Sequence, residues 1–139
     1  MDQIIGTDKT SSFDELKQQA DDSFHKKDYE AAIKSYKKAL MLQIDSPEIL
    51  LGLAHAYLNA EYFEEAFKAA DKVRGMRCKD VKQAWGLMGR SVYGMRDWDL
   101  SVELFEDALK LYPNTKELQV ELAKAKARLH ESRRNTIES

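Results

Sequence analysis

Between residues 97 and 113 the apolar side chains Leu100, Leu104, Phe105, Ala108, Leu109 and Leu111 recur close to the period of one helix face. Asp97 can accept the free N–H groups of a helix start, and Pro113 cannot continue the helix, so the stretch predicts a single amphipathic helix. The same arrangement of aromatic, small and aliphatic positions occurs over 28–40 and again over 62–73. The chain therefore reads as an array of repeated helical units.

The intervening segments carry their own helical patterns. Residues 1–11 are polar apart from Ile4 and Ile5 and read as a flexible leader. Ser12 with Glu15 has capping-box spacing, and Leu16, Ala20 and Phe24 continue a first helix to about Lys26. A second, from near Asp28 to near Ile44, buries Tyr29, Ala32, Ile33, Tyr36, Ala39 and Leu40. Ser46 before Pro47 marks a third start, since a proline at the first helical position forfeits no hydrogen bond. Leu50, Leu53, Ala54 and Tyr57 belong to that helix; Phe63, Ala66, Phe67, Ala70 and Val73 belong to a fourth, which Gly75 ends.

After a break over 76–79, Asp80 and Gln83 form a cap pair for a fifth helix with Trp85, Met88, Gly89 and Val92. Gly86, Gly89 and Gly94 all fall within it, where each costs about 1 kcal/mol against Ala, so close packing or ligand approach is expected to compensate. Asn114 and Glu117 cap a seventh helix on Leu118, Leu122, Ala125 and Leu129, whose C-terminal cations suit the negative end of its dipole. Residues 134–139 read as a flexible tail.

At 139 residues the chain accommodates one domain with a continuous core. With 22 Lys and Arg against 24 Asp and Glu, a net charge of -2 supplies no general attraction for nucleic acid or an anionic membrane, and neither is expected as a partner. The longest apolar run, 49–58, is interrupted by His55 and falls far short of the roughly 20 residues a membrane span needs. No secretory signal begins the chain, and one cysteine cannot form an internal disulfide, so the expected setting is the reducing cytoplasm, with the nucleus as the alternative.

From Tyr29 to Phe63 the spacing is 34, and from Phe63 to Trp98 it is 35, the extra residue falling in the 76–79 break. This is the tetratricopeptide period. Large, small and aromatic positions of a first helix followed by small, aromatic and small ones of a second are met by Leu16, Ala20, Ala32, Tyr36 and Ala39, by Leu50, Ala54, Tyr57 and Ala66, and by Trp85, Gly89, Ser101, Phe105, Ala108 and Pro113. The chain thus resembles a three-repeat tetratricopeptide (TPR) domain with a C-terminal capping helix. A generic paired-helix solenoid is the structural alternative. The resemblance implies an all-α, right-handed superhelical solenoid of seven helices over 12–133, with repeats at about 13–46, 47–79 and 80–114 and a cap at 115–133. Small residues let paired helices cross closely while large ones fill the gaps between neighbours.

In such domains the first helix of each unit lines a concave groove that holds a peptide or helix of a partner protein. The groove candidates are Lys17, Asp21, Leu51, His55, Leu58, Lys82, Leu87, Arg90 and Tyr93; a solvated face partly under the capping helix is the competing account. The favoured ligand pairs apolar anchors with Asp or Glu. The family's carboxylate clamp, which holds the C-terminal Glu-Glu-Val-Asp of Hsp70 and Hsp90, is matched by Lys17 and Lys82. Asp21 and Gly52 stand where it has asparagines and Leu87 where it has a further base, so the clamp is incomplete, and an acid at Asp21 would repel the ligand's terminus.

Other chemistry has little support. Asp21 and His25 lie one turn apart, but no third ligand accompanies them, and His25, His55 and His130 share no metal-ligand spacing. Arg77 and Lys79 flank Cys78, a setting that suits a loop thiol at a repeat junction. Asp14, Glu48 and Lys82, or Asp21, His55 and Arg90, at matched positions offer no base-reading code. No cofactor, metal or catalytic residue is expected. The reading is a non-enzymatic adaptor or co-chaperone-like scaffold, with the regulatory or targeting domain of a larger enzyme as the alternative.

Overall fold

The computed structural model describes residues 4–138, with side chains resolved over 12–137. Among the described residues seven helices follow one another: α1 (Ile4–His25), α2 (Tyr29–Leu42), α3 (Pro47–Asn59), α4 (Phe63–Arg74), α5 (Val81–Gly94), α6 (Trp98–Leu111) and α7 (Lys116–Glu138). They form three antiparallel hairpins and a final helix. Each helix packs on its neighbours in sequence.

Several starts are made as the sequence expects. The Asp28, Ser46 and Asp97 side chains accept the N–H groups of Ala31, Ile49 and Leu100, satisfying donors that the first helical turn leaves free. The turn inside each hairpin is also the same three times. Lys27, Glu61 and Arg96 adopt left-handed φ of 66°, 67° and 65°. The N–H groups of the next residues, Asp28, Tyr62 and Asp97, bond the carbonyls of Ser23, Tyr57 and Val92, closing the helix end in a Schellman-type arrangement. The sequence period is thus a backbone period as well.

Other boundaries differ from the sequence reading. Instead of a leader ending before Ser12, α1 begins at Ile4 and carries Ser12 within it, so the Ser12–Glu15 pair caps nothing. No proline interrupts the leader, and extending an existing helix adds one hydrogen bond per residue fixed, whereas a new start requires a nucleus. Residues 1–3 lie outside the described residues. For the same reason α7 continues through the expected tail to Glu138. Asp80 does precede α5, but its side chain makes no capping bond and Gln83 is engaged elsewhere.

Small residues occupy the expected closest approaches: Ala20 and Ala54 are wholly buried, and a Cβ on Gly89 would stand 2.5 Å from the Phe105 ring. Three linked clusters form the core. The first joins α1 to α4 around Tyr36 and Ile49, the second joins α3 to α6 around Leu87 and Val73, and the third seals Phe105 and Ala108 of α6 under Leu118 and Ala125 of α7.

The first helices of successive units approach one another, α1 to α3 and α3 to α5, and α5 approaches α7 in turn. Among the described residues, the backbones of α2, α4 and α6 nowhere come within 8 Å of one another. An array closed on one layer and splayed on the other must curve, with α1, α3 and α5 on its inner side.

Candidate functional site

The inner layer places Lys17 and Asp21 on α1, His55 on α3, and Lys82 and Arg90 on α5. Its two ends differ in electrostatic character. At the unit-one end the Lys17 ammonium lies 3.0 Å from Asp21 and 3.5 Å from Glu48. The hydrogen bond that Lys17 donates to Asp21 raises the Lys17 pKa, burial opposes that shift, and Glu48 adds to it. The Tyr36 hydroxyl donates a 2.5 Å bond to the other oxygen of Asp21. Burial, reinforced by Asp21, pushes this phenol above its ordinary value, so it remains a neutral donor.

Gly52 makes this reach across α3 feasible, because a Cβ there would fall 2.7 Å from the Tyr36 ring. Asp21 is therefore fixed by two partners, and the Lys17 charge is met twice from within the chain. A ligand carboxylate arriving at Lys17 would face Asp21 and Glu48 at close range.

At the other end, His55, Lys82, Gln83 and Arg90 line a cleft of about 380 Å³ that Glu117 and Leu118 of α7 close. Gln83 Nε2 lies 2.9 Å from His55 Nε2. Burial, then the Arg90 charge, lowers the His55 pKa, so the imidazole is neutral near pH 7. A neutral ring accepting the Gln83 amide at Nε2 carries its proton on Nδ1. Arg90 Nε donates to Glu121 Oε1 at 3.1 Å, and the guanidinium lies over Gly86, where an added Cβ would be 3.5 Å from it. Lys82 is exposed, its ammonium 6.0 Å above the Tyr112 ring. Arg90 is thus a partly exposed cation already pairing with a carboxylate, while Lys82 has no acidic partner among the described residues.

The apolar candidates divide. Leu58 is partly buried against the first two clusters, and Tyr93 sets its ring edge-on to Trp98 at 5.0 Å. Leu51 and Leu87, expected as groove contacts, are 5% and 0% exposed and belong to the core. They pack between α3, α5 and the outer layer, and offer a groove ligand little or no surface. The clamp position assigned to Leu87 therefore lies off the groove surface. Gly86 lies at the cleft instead, with Arg90 folded over it.

His25 does not pair with the Asp21 carboxylate: its Nδ1 is 2.7 Å from the Asp21 backbone oxygen. Cys78 is partly buried against the second cluster. Among the described residues no group of three His, Cys, Asp or Glu could hold a metal, and no helix is long and apolar enough to cross a membrane. Gln83, Glu117, Glu121 and Tyr36 were not among the sequence candidates. Their roles depend on contacts 15 to 31 residues apart, for which helical periodicity carries no signal.

A family model described as TPR repeat matches residues 20–60. The Hsp70-Hsp90 organizing protein of Triticum aestivum is 31% identical over 121 residues, covering 78% of this chain and 21% of that protein. The Sgt2 TPR domain from Aspergillus fumigatus superposes with a TM-score of 0.77 at 24% identity, covering 88% of this chain and 82% of that one. The second TPR domain of human RPAP3, solved in complex with the HSP70 peptide SGPTIEEVD, gives 0.75 at 23% identity over 85% of this chain and 98% of that one. The chain spans about a fifth of the length of the curated relatives it matches.

Proposed function

We propose that this chain, which belongs to the tetratricopeptide-repeat family, is a non-enzymatic protein-interaction module whose groove captures an acidic segment at its unit-three end. The observation that carries this reading is the cleft in which Lys82, Gln83 and Arg90 converge with a neutral His55, Arg90 already binding one carboxylate. A planar guanidinium held over a glycine can exchange that carboxylate for one from a partner, and Arg engages carboxylates through paired bonds that Lys cannot form. Leu58 and Tyr93 lie alongside as partly exposed apolar contacts.

The wheat relative and the RPAP3 complex support a co-chaperone-like role with Hsp70 or Hsp90 tails as candidate ligands. In this chain, Lys17 is occupied by Asp21 and Glu48, so recognition falls on acidic side chains more than on a terminal carboxylate. The peptide SGPTIEEVD should accordingly bind weakly, and amidating its C-terminus should change its affinity little. Arg90→Glu should abolish that binding with a nearly unchanged helical spectrum and a lowered melting temperature, because it sets a second carboxylate against Glu121, while Lys110→Glu, on the exposed side of α6, should bind as the unaltered protein does. Titrations by fluorescence anisotropy check both. Retained binding in Arg90→Glu together with loss in Lys110→Glu would refute the groove assignment.

A further inference from the structure

The outer layer has a feature that the groove does not use. Between α2 and α4, whose backbones stay more than 8 Å apart, a slot of about 190 Å³ opens onto Leu40, Leu50, Leu53, Tyr57 and Ala69, with α3 as its floor. Cations rim both sides. Lys68 and Lys72 line it from α4 together with one acid, Glu65, and from α2 the Lys37 ammonium lies 6.0 Å above the Tyr57 ring. None of these three lysines pairs with a carboxylate among the described residues. Lys34, Lys37 and Met41 follow one another at helical i, i+3, i+7 spacing beside Leu40. Met41 is 80% exposed, and Ile44, just past the helix end, is 73% exposed.

The next junction shows that the repeat does not require this arrangement. Advancing by the repeat spacings of 34 and 35, Leu40 becomes Arg74, Leu50 becomes Trp85, Lys37 becomes Asp71, Lys68 becomes Glu103 and Lys72 becomes Asp107. There Arg74 bonds Asp71 at 2.8 Å and places its guanidinium 5.8 Å above the Trp85 ring, covering the equivalent floor. One junction is filled and rimmed by acids. The other is apolar, open and rimmed by three unpaired lysines and a single acid, Glu65.

We propose that the α2–α4 slot is a second docking site, taking an acidic amphipathic helix of a partner protein. One bulky apolar side chain of that helix enters the slot, Met41 and Ile44 extend the apolar contact, and Asp or Glu residues one turn either side meet Lys37, Lys68 and Lys72. Charge complementarity selects this occupant: Lys37, Lys68 and Lys72 outnumber the one acid of the lining, Glu65, so the rim attracts an acidic helix and repels a basic one. The site lies on the layer opposite the groove, so both can be filled at once.

The test uses a fluorescein-labelled helix of about 18 residues, five turns, with Leu and Phe along one face and Glu flanking it, and a counterpart in which Lys replaces Glu. The acidic helix should bind, with the basic one about tenfold or more weaker. Lys68→Glu combined with Lys72→Glu should weaken binding by about tenfold, and Leu40→Arg should close the slot in the manner of Arg74. Because unit two carries arginine at that position, Leu40→Arg is expected to fold, which circular dichroism checks. Arg90→Glu should leave this binding unchanged, and SGPTIEEVD should not compete with it, so failure here and failure of the groove are separable.

Absence of binding by the acidic helix overturns the proposal, as does binding indifferent to both slot variants or lost in Arg90→Glu. Adsorption to vesicles containing phosphatidylserine without helix binding would make the face a membrane contact instead. Self-association in the ultracentrifuge that Leu40→Arg abolishes would make the occupant a second copy. Either result overturns the partner-helix assignment.

Discussion

Three glycines of similar helical setting face different surroundings. On α5, a Cβ at Gly89 would press into the Phe105 ring at 2.5 Å, whereas one at Gly86 would meet Arg90 at 3.5 Å and Leu118 at 3.8 Å, ordinary contact distances. Gly52 on α3 resembles Gly89, except that the ring it accommodates, Tyr36, also fixes Asp21. Gly86→Ala should therefore stabilise the protein by up to about 1 kcal/mol through helix propensity, while Gly89→Ala should cost about 1 to 3 kcal/mol by overpacking. Gly52→Ala should lie on the destabilising side and displace the Tyr36–Asp21 bond. Urea denaturation of the three variants distinguishes them. A loss of stability in Gly86→Ala equal to that in Gly89→Ala would show that α5 does not sit in this register.

At the scale of helices, α7 is both a cap and a tenant of the groove. Glu121 meets Arg90 with the same chemistry that a partner's Asp or Glu would use, and its side chain is only 22% exposed. A ligand carboxylate must displace it. Glu121→Gln should then tighten an acidic peptide several-fold by removing the internal competitor, without moving the site, and isothermal titration measures this. Weaker binding in Glu121→Gln would mean that Glu121 positions Arg90 and does not compete for it. None of this was legible in the sequence. The helices themselves were, because Asp28, Ser46 and Asp97 carry caps and the apolar faces keep their period. The start of α1 was not, since Ser12 looks like a cap whether or not a helix precedes it. Leu51 and Leu87 misled because a central helix of an array is packed on several sides. Periodicity marks a residue as apolar without saying which neighbour, helix or ligand, covers it.

For the molecule as a whole, a stack in which each unit touches only its neighbours makes the end helix decisive. Leu118 and Ala125 of α7 bury Phe105 and Ala108, and polar links reinforce the seam, Arg128 lying 4.7 Å above the Trp98 ring and Arg133 bonding Asp99 at 3.1 Å. Removing residues 116–139 would uncover the third cluster and release Arg90, while leaving the first cluster, which joins α1 to α4, with all its contacts. The truncated chain should therefore lose hydrogen-exchange protection in α5 and α6 well before α1 to α3, and it should associate through the uncovered face. Because the α2–α4 slot lies in the retained part, the acidic helix should still bind a protein that has lost capture of SGPTIEEVD. A truncated chain that stays monomeric with uniform protection would show that α7 is not a cap. Simultaneous loss of protection along the whole chain would instead show that the array folds as one cooperative block, whose stability no end helix controls locally.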